Sequence, residues 1–96
     1  MKIDPYVVET LLPDLVGHDK SPSAFLVYLF LSSRSTPRKP VSFSHQAMAL
    51  ETGLSKSAVQ AAVRHLTKRG LLTSRRASIT AVPEYTVLTP WVRKGV

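Results

Sequence analysis

Two short helix-forming stretches meet at a glycine near the middle of the chain, and this junction constrains the fold most strongly. Ser44 precedes the first stretch and Ser55 precedes the second, and serine is a preferred N-cap residue. Gly53 lies between them, where a tight turn requires a positive φ angle that glycine adopts without strain. Gly70 follows the second stretch in the usual C-cap position. The pattern predicts two helices over residues 44–70, joined by a tight turn.

The second of these helices is predicted to be amphipathic. Lys56, Gln60 and Arg64 are spaced by four residues, so they share one face of the helix. Arginine and lysine can donate hydrogen bonds to guanine O6 and N7, and glutamine can pair with adenine N6 and N7. This face has the chemistry of a DNA-reading surface, although such a row is also typical of an ordinary solvated face. The predicted core positions of the two helices are Met48, Ala49, Leu54, Val59, Ala62, Val63 and Leu66.

A β-hairpin is predicted after the second helix. Residues 71–77 and 84–89 have the pattern of two paired strands, and residues 78–83 form the predicted tip. Pro83 predicts an exposed edge, because proline cannot donate a ladder hydrogen bond. Trp91 is expected to pack back on the body of the domain.

The N-terminal region begins with a short predicted helix. Asp4 is a capping residue before Pro5, a sequence typical of the first turn of a helix. The helix is predicted to run to about Leu12, where Pro13 would end or kink it. Residues 17–20 are predicted to form a loop.

A second helix is predicted to start at Ser21-Pro22 and to run to Arg34. Residues 24–31 are apolar without interruption, so a strand is an alternative for this stretch. A helix that is apolar on all sides is buried on more than one face. The N-terminal helix or a second copy of the chain could supply the second contact. A short extended segment at residues 41–43 is predicted to follow.

Charge is distributed unevenly along the chain. The formal net charge is +7, from 13 Lys and Arg against 6 Asp and Glu. Residues 1–40 hold five basic and four acidic residues, a balance of +1, whereas residues 41–96 hold eight basic and two acidic residues, a balance of +6. This asymmetry is typical of proteins that bind a polyanion, most often nucleic acid. A solubilising surface is the alternative.

The length of 96 residues fits one domain. The absence of cysteine excludes disulfides and thiolate metal sites, and it suits a reducing cytoplasm. The longest apolar run is far shorter than the roughly 20 residues of a membrane span. The N-terminus lacks the apolar core of a signal peptide. A cytoplasmic location is therefore expected.

Residues 41–89 resemble the winged helix-turn-helix of bacterial transcriptional regulators, the GntR type most closely. The resemblance lies in GLSKSAV at residues 53–59, RHL at residues 64–66 and GLL at residues 70–72, followed by a basic strand and a PEYTV strand. It implies an α+β fold with a three-helix core and a C-terminal β-hairpin wing.

The predicted organisation is a single winged-helix domain over residues 1–96. Residues 1–20 are an N-terminal helical extension, residues 44–70 the helix-turn-helix and residues 71–89 the wing. The resemblance also implies binding of double-stranded DNA, with a recognition helix at residues 56–69 in the major groove.

The resemblance implies particular DNA contacts. Base and phosphate contacts on the recognition helix would come from Ser55, Lys56, Ser57, Gln60 and Arg64. Ser44 would contact the DNA backbone, and Arg75 and Arg76 on the wing would meet phosphates or a minor groove. Lys68 extends the basic face, although a lysine near a helix C-terminus also complements the helix dipole.

The sequence contains no pattern typical of an enzyme. The histidines His18, His45 and His65 are scattered without metal-binding spacing, and no Walker or G-x-S-x-G motif occurs. His65 is expected at the surface, and Asp14 and Asp19 flank a glycine loop with no partner base nearby. No catalytic site, cofactor or metal is predicted.

The sequence therefore predicts a small transcriptional regulator that binds double-stranded DNA sequence-specifically. Because one such module reads few base pairs, a homodimer is expected through the apolar surface of residues 5–31. No membrane or small-molecule partner is predicted. A winged-helix protein-docking module and the DNA-binding lobe of a replication or plasmid initiator are alternatives. RNA binding is less favoured, because the basic half holds few aromatic residues.

Overall fold

Three α-helices and a three-stranded antiparallel sheet follow an N-terminal helical segment. The computed structural model describes residues 3–35 and 39–91. This is an α+β winged helix-turn-helix fold, as predicted. Its elements are α1 (Pro22–Arg34), β1 (Val41–Ser42), α2 (His45–Thr52), α3 (Lys56–Lys68), β2 (Leu72–Arg75) and β3 (Glu84–Val87).

The N-terminal helical segment consists of two π-helical stretches, Val7–Leu11 and Pro13–His18. The carboxylate of Asp4 accepts a hydrogen bond of 2.9 Å from the backbone N–H two residues later, which caps the start of the segment. Pro13 is predicted to end or kink the helix, and it does not end it, because helical turns continue to His18. Proline is tolerated there because it takes the first position of the second stretch, where a missing N–H removes no hydrogen bond. The predicted loop at residues 17–20 is therefore wrong for its first two residues.

The apolar stretch of α1 is a helix and not the alternative strand. Ser21 is its N-cap and Pro22 its first residue. Both α3 and the N-terminal helical segment pack against α1, so much of its apolar surface is covered within the chain. Leu26 still has 45% of its surface exposed. The buried residues of α1 are Ala24, Phe25, Val27, Tyr28 and Leu31.

The helix-turn-helix is capped as predicted. The Ser44 hydroxyl accepts a hydrogen bond of 3.0 Å from the backbone N–H three residues later, and Ser55 does the same at 3.1 Å. Gly53 has a φ angle of 80° and Gly70 one of 73°, so both adopt the left-handed conformation that favours glycine. These local features set the angle between α2 and α3 and end α3 before the hairpin.

One core joins all the elements. Leu66 of α3 and Leu72 of β2 are almost fully buried, as is Tyr85 of β3. Each such side chain contributes roughly 1.5–3 kcal/mol through removal from water. The Tyr28 hydroxyl donates a hydrogen bond of 2.9 Å to the Leu88 carbonyl, and burial raises the pKa of Tyr28 to about 12. α1 is thereby linked to the end of the hairpin.

The sheet has the strand order β1-β3-β2, so β3 is its central strand. Val41 lies opposite Tyr85, and Leu72 lies opposite Val87. The prediction that Pro83 marks an exposed edge is wrong, because β3 is paired on both sides and Pro83 is buried. Proline is tolerated because it precedes the first paired residue of the strand.

Trp91 packs back on the N-terminal helical segment, which confirms the prediction. Its ring stacks on Tyr6 with centroids 4.4 Å apart, and its Nε1 donates a hydrogen bond of 3.0 Å to Asp4. The hydrogen bonds from Trp91 and from the backbone of Tyr6 lower the pKa of Asp4.

Within residues 3–35 and 39–91, no helix is long and apolar enough to cross a membrane. The connection between the predicted helix that ends at Arg34 and the predicted extended segment at residues 41–43 lies partly outside the described residues. The predicted extension at residues 1–20 begins before them, and the single predicted domain extends past Trp91 to residues beyond them.

Candidate nucleic-acid interface

α3 has one buried face and one basic face open to solvent. Its core positions face α1 and α2, and Val59 and Leu66 are completely buried. On the other side, Lys56 and Arg64 are exposed and Gln60 is half-buried. Each step of four residues turns the helix by about 40°, so these three side chains stay within an arc of about 80°. They share one face of α3, as their spacing predicts, and we call it the recognition face after the role predicted for it.

A cleft of about 280 Å³ lies beside this face, between the start of α2, the first turns of α3 and the wing. We define the wing as β2, β3 and the connection at residues 76–83. Residues 79–83 form the wing side of the cleft. None of the residues that line the cleft is acidic, so we call it the basic cleft. Its polar lining is Ser44, His45, Gln46, Lys56, Gln60, Arg76 and Thr80.

The positive potential of the basic cleft acts on His45, the first residue of α2. Partial burial lowers the pKa of His45, and the charges of Arg76, Lys56 and Arg64 lower it further. Both effects favour the neutral imidazole. His45 on α2 is therefore close enough to feel charges from both α3 and the wing. The recognition face and the wing border the same cleft.

The wing side of the cleft is held in place by its own hydrogen bond. Arg76 Nη1 donates to the carbonyl of Ile79 at 3.2 Å. This contact folds the guanidinium back toward the wing tip, where it lines the cleft. The Ile79 side chain is 91% exposed at that tip.

The predicted site residues fall into two groups. The basic cleft brings together Ser44, Lys56, Gln60 and Arg76. Ser55 and Ser57 lie at the exposed start of α3, with their hydroxyl oxygens 3.2 Å apart. They do not line the cleft, but they lie on the same end of the helix.

Two predicted residues lie apart from the cleft. Arg75 is paired in register with Glu84 on the neighbouring strand, so an opposite charge lies beside it on the sheet. Lys68 is in the last turn of α3, and its position is rotated by about 120° from that of Lys56. Both side chains are exposed.

The other end of α3 carries a cluster that the sequence analysis missed. His65 Nε2 lies 2.7 Å from a carboxylate oxygen of Asp19, and Arg69 Nη1 donates to the same carboxylate at 3.0 and 3.1 Å. Arg69 Nη2 donates to Asp14. We call these four residues the anchor cluster, because they join α3 to the N-terminal helical segment.

The anchor cluster corrects two predictions. The His65 side chain is only 29% exposed and is hydrogen-bonded to Asp19, so it is not a free surface residue. Asp14 and Asp19 have partners, although none was expected from the sequence. Hydrogen bonds from His18 and His65 and the charge of Arg69 lower the pKa of Asp19, and the hydrogen bond to Asp14 raises that of Arg69.

Ligand atoms of Asp14, His18 and Asp19 lie within 4.8 Å of one another, a spacing that a metal ion could use. Both carboxylates already bind Arg69, whose positive charge opposes a cation at this place. We therefore assign these residues to the structural contact between helices.

Sequence reasoning missed His45 and the anchor cluster for different reasons. His45 directly follows the N-cap Ser44, and that position was a usable signal. By contrast, Asp19 and His65 are 46 residues apart, and nothing local indicates that they meet.

Comparison with known proteins agrees with this geometry. The model of a family described as a helix-turn-helix domain matches residues 18–72. The match covers α1, α2 and α3 and reaches the first residue of β2, so it extends further toward the N-terminus than the resemblance at residues 41–89. No curated protein and no solved structure matches the chain. Because the match covers more than half of the sequence, the chain belongs to the helix-turn-helix domain family.

Proposed function

We propose that the protein binds double-stranded DNA sequence-specifically and acts as a small bacterial transcriptional regulator of the GntR-like kind. Membership of a helix-turn-helix family suggests DNA binding. The observation that carries the proposal is the acid-free basic cleft directly beside the exposed face of α3. A basic helix face that is only solvated does not require a neighbouring cleft that is free of acidic residues and bordered by a wing.

The base-reading role belongs to the recognition face of α3, placed in the major groove. The 13 residues of α3 span about 20 Å, enough to cross that groove. Arg64 and Lys56 can donate to guanine, and Gln60 can pair with adenine. The burial of the opposite face fixes these side chains on a rigid element, which favours specific recognition.

The phosphate-binding role belongs to residues around that face. Ser44, Ser55 and Ser57 lie at the starts of α2 and α3, where backbone N–H groups and the helix dipole favour an anion. Arg75 and Arg76 extend this surface along the wing, and Lys68 extends it along α3. Phosphate contacts supply most of the affinity and fix the register of the base-reading residues.

We also propose that residues 1–96 form one domain that dimerises through residues 5–31. In this range Val8, Val16 and Leu26 remain 49%, 36% and 45% exposed. Two copies on a two-fold site would read twice as many base pairs. Sedimentation at tens of micromolar tests this part, and a strict monomer would contradict it without affecting DNA binding by a single copy.

The test of DNA binding is fluorescence anisotropy with a duplex of randomised sequence at about 50 and 200 mM salt. Four to seven phosphate contacts predict that affinity falls by about 10²–10⁴-fold between these salt concentrations. The Lys56→Ala/Arg64→Ala variant is compared with Arg34→Ala/Lys39→Ala. Both variants lose two positive charges, but only the first pair lies on the recognition face.

The proposal predicts that the first variant loses most of the binding and that the second retains it. Equal losses would mean that net charge alone attracts DNA. No binding at low salt would overturn the proposal and favour the protein-docking alternative. If binding is found, selection from the random duplex identifies the site, and a preference for an origin over a promoter would favour the initiator alternative.

A further inference from the structure

We infer that His45 is a phosphate-binding residue of the basic cleft and takes up a proton when DNA binds. This inference rests on the proposed DNA-binding function and adds to it a residue and a pH dependence. The ligand is a phosphate diester of the DNA backbone.

The position of His45 is the first observation. It is the first residue of α2 and lines the cleft between Lys56 on α3 and Arg76 on the wing. Among the described residues, none hydrogen-bonds to its imidazole. Its ring nitrogens are therefore available to a ligand that enters the cleft.

The charges that face His45 are the second observation. Arg76 approaches from the wing, and Lys56 and Arg64 approach from α3. Besides His45, the N-cap residue Ser44 and Gln46 of α2 line the cleft, and both are uncharged. Partial burial and these three cations lower the pKa of His45, which favours the neutral imidazole in the free protein.

A bound phosphate reverses this balance. Its negative charge offsets the three cations and favours the imidazolium, which can then donate a hydrogen bond from either ring nitrogen to a phosphate oxygen. The pKa of His45 is therefore higher in the complex than in the free protein. At a pH between the pKa of His45 in the free protein and its pKa in the complex, DNA binding is accompanied by uptake of a proton. DNA affinity therefore increases as the pH falls through this interval, and it becomes constant below the lower pKa.

The direct experiment is an NMR titration of the histidine side chains from pH 5 to 8.5. It is done for the free protein, for the protein with a short duplex of fixed sequence, and for the protein with inorganic phosphate alone. We expect His45 to titrate below the ordinary histidine value in the free protein and to shift upward on the duplex. Inorganic phosphate at the same phosphate concentration should shift it far less, because it lacks the neighbouring contacts of a DNA backbone.

The matching affinity experiment compares anisotropy at pH 5.5 and 8 for the wild type, His45→Gln, His45→Arg and His18→Gln. A coupled proton predicts that wild-type affinity rises up to about tenfold per pH unit within the interval. His45→Gln removes this increase, and His45→Arg binds as tightly at pH 8 as at pH 5.5. His18→Gln is the matched control and keeps the wild-type profile, because His18 lies beside the anchor cluster.

The outcomes separate this inference from the proposed function. If the wild type binds DNA but His45→Gln has the same pH profile, the inference is wrong and the DNA-binding function stands. An equal shift of His45 in inorganic phosphate would also overturn it, because the cleft would then be a small-anion site. No DNA binding by the wild type would overturn both.

Discussion

The recognition face of α3 and the C-terminal end of the same helix carry similar basic side chains in opposite surroundings. On the recognition face, Lys56 lines a cleft whose lining contains no acidic residue, and the charge of Arg64 acts on His45 in that cleft. At the C-terminal end, Arg69 is bound by the carboxylates of Asp14 and Asp19. Whether a basic side chain on a helix serves binding or stabilises the fold therefore depends on the groups that surround it.

This difference separates two roles on one helix. Unpaired cations beside a cleft create a potential that attracts a polyanion. Paired cations have their field cancelled locally, and they instead hold one helix against another. The recognition face of α3 is consequently suited to DNA contact, while the C-terminal end fixes the orientation of the helix on the N-terminal helical segment.

The largest expected effect is a loss of DNA affinity in Gln60→Ala, which tests the role of the recognition face. Gln60 lies between Lys56 and Arg64 on the recognition face, and its loss should cost roughly 1–3 kcal/mol on the preferred DNA site. Affinity for unrelated sequences should change little. Competition binding with the selected site and a scrambled duplex measures the difference, and an equal loss on both would show that Gln60 reads no base.

The next effect concerns the turn that sets the start of α3. Gly53 has a positive φ angle, and an added Cβ would meet no atom within 4 Å. The cost of Gly53→Val is therefore backbone strain, about 1–2 kcal/mol of unfolding free energy.

Gly17→Ala is the matched control for the turn. A Cβ there also meets no atom within 4 Å, and its φ angle is not positive. Urea denaturation should show a clear loss for Gly53→Val and almost none for Gly17→Ala. An unchanged midpoint for Gly53→Val would mean that the turn has another conformation.

The smallest effect concerns the anchor cluster in acid. The hydrogen bonds from His18 and His65, together with Arg69, lower the pKa of Asp19 from its ordinary value of 3.8. A carboxylate with a lowered pKa stabilises the folded state above its unfolded pKa, and this contribution is lost as the pH falls through the folded pKa.

Asp19→Asn should therefore be less stable than the wild type at pH 7, and the two melting temperatures should converge below about pH 3.8. Thermal denaturation across this range measures the convergence. A constant difference at every pH would mean that Asp19 stabilises the fold by packing and not by charge.

The capped helices could be predicted from the sequence because their causes are local. Ser44, Ser55 and Gly53 act on backbone groups within a few residues, and each does so as expected. The spacing of Lys56, Gln60 and Arg64 likewise fixes their common face whatever the tertiary structure.

The errors concern features that depend on distant partners. Pro83 gave a false signal of an edge, because the pairing of β3 with β1 on its second side depends on a strand far away in sequence. The anchor cluster was missed because Asp19 and His65 meet only after α1 and α3 have packed. The position of His45 after the N-cap Ser44 was a local signal, but its proximity to the charge of Arg76, far along the chain, could not be read from the sequence.

The most direct test of the central claim compares Arg64→Ala with Arg69→Ala. Each variant removes one arginine from α3 or its C-cap, so the change in net charge is the same. DNA affinity is measured well below the melting temperature of each variant, and thermal denaturation is measured in parallel.

Our account predicts that Arg64→Ala weakens DNA binding about tenfold or more, as expected for loss of a base contact, and keeps the wild-type melting temperature. It predicts that Arg69→Ala lowers the melting temperature while the folded protein binds DNA almost as tightly as the wild type. A loss of affinity in folded Arg69→Ala equal to that in Arg64→Ala would contradict the division of α3 into a recognition face and an anchored C-terminal end.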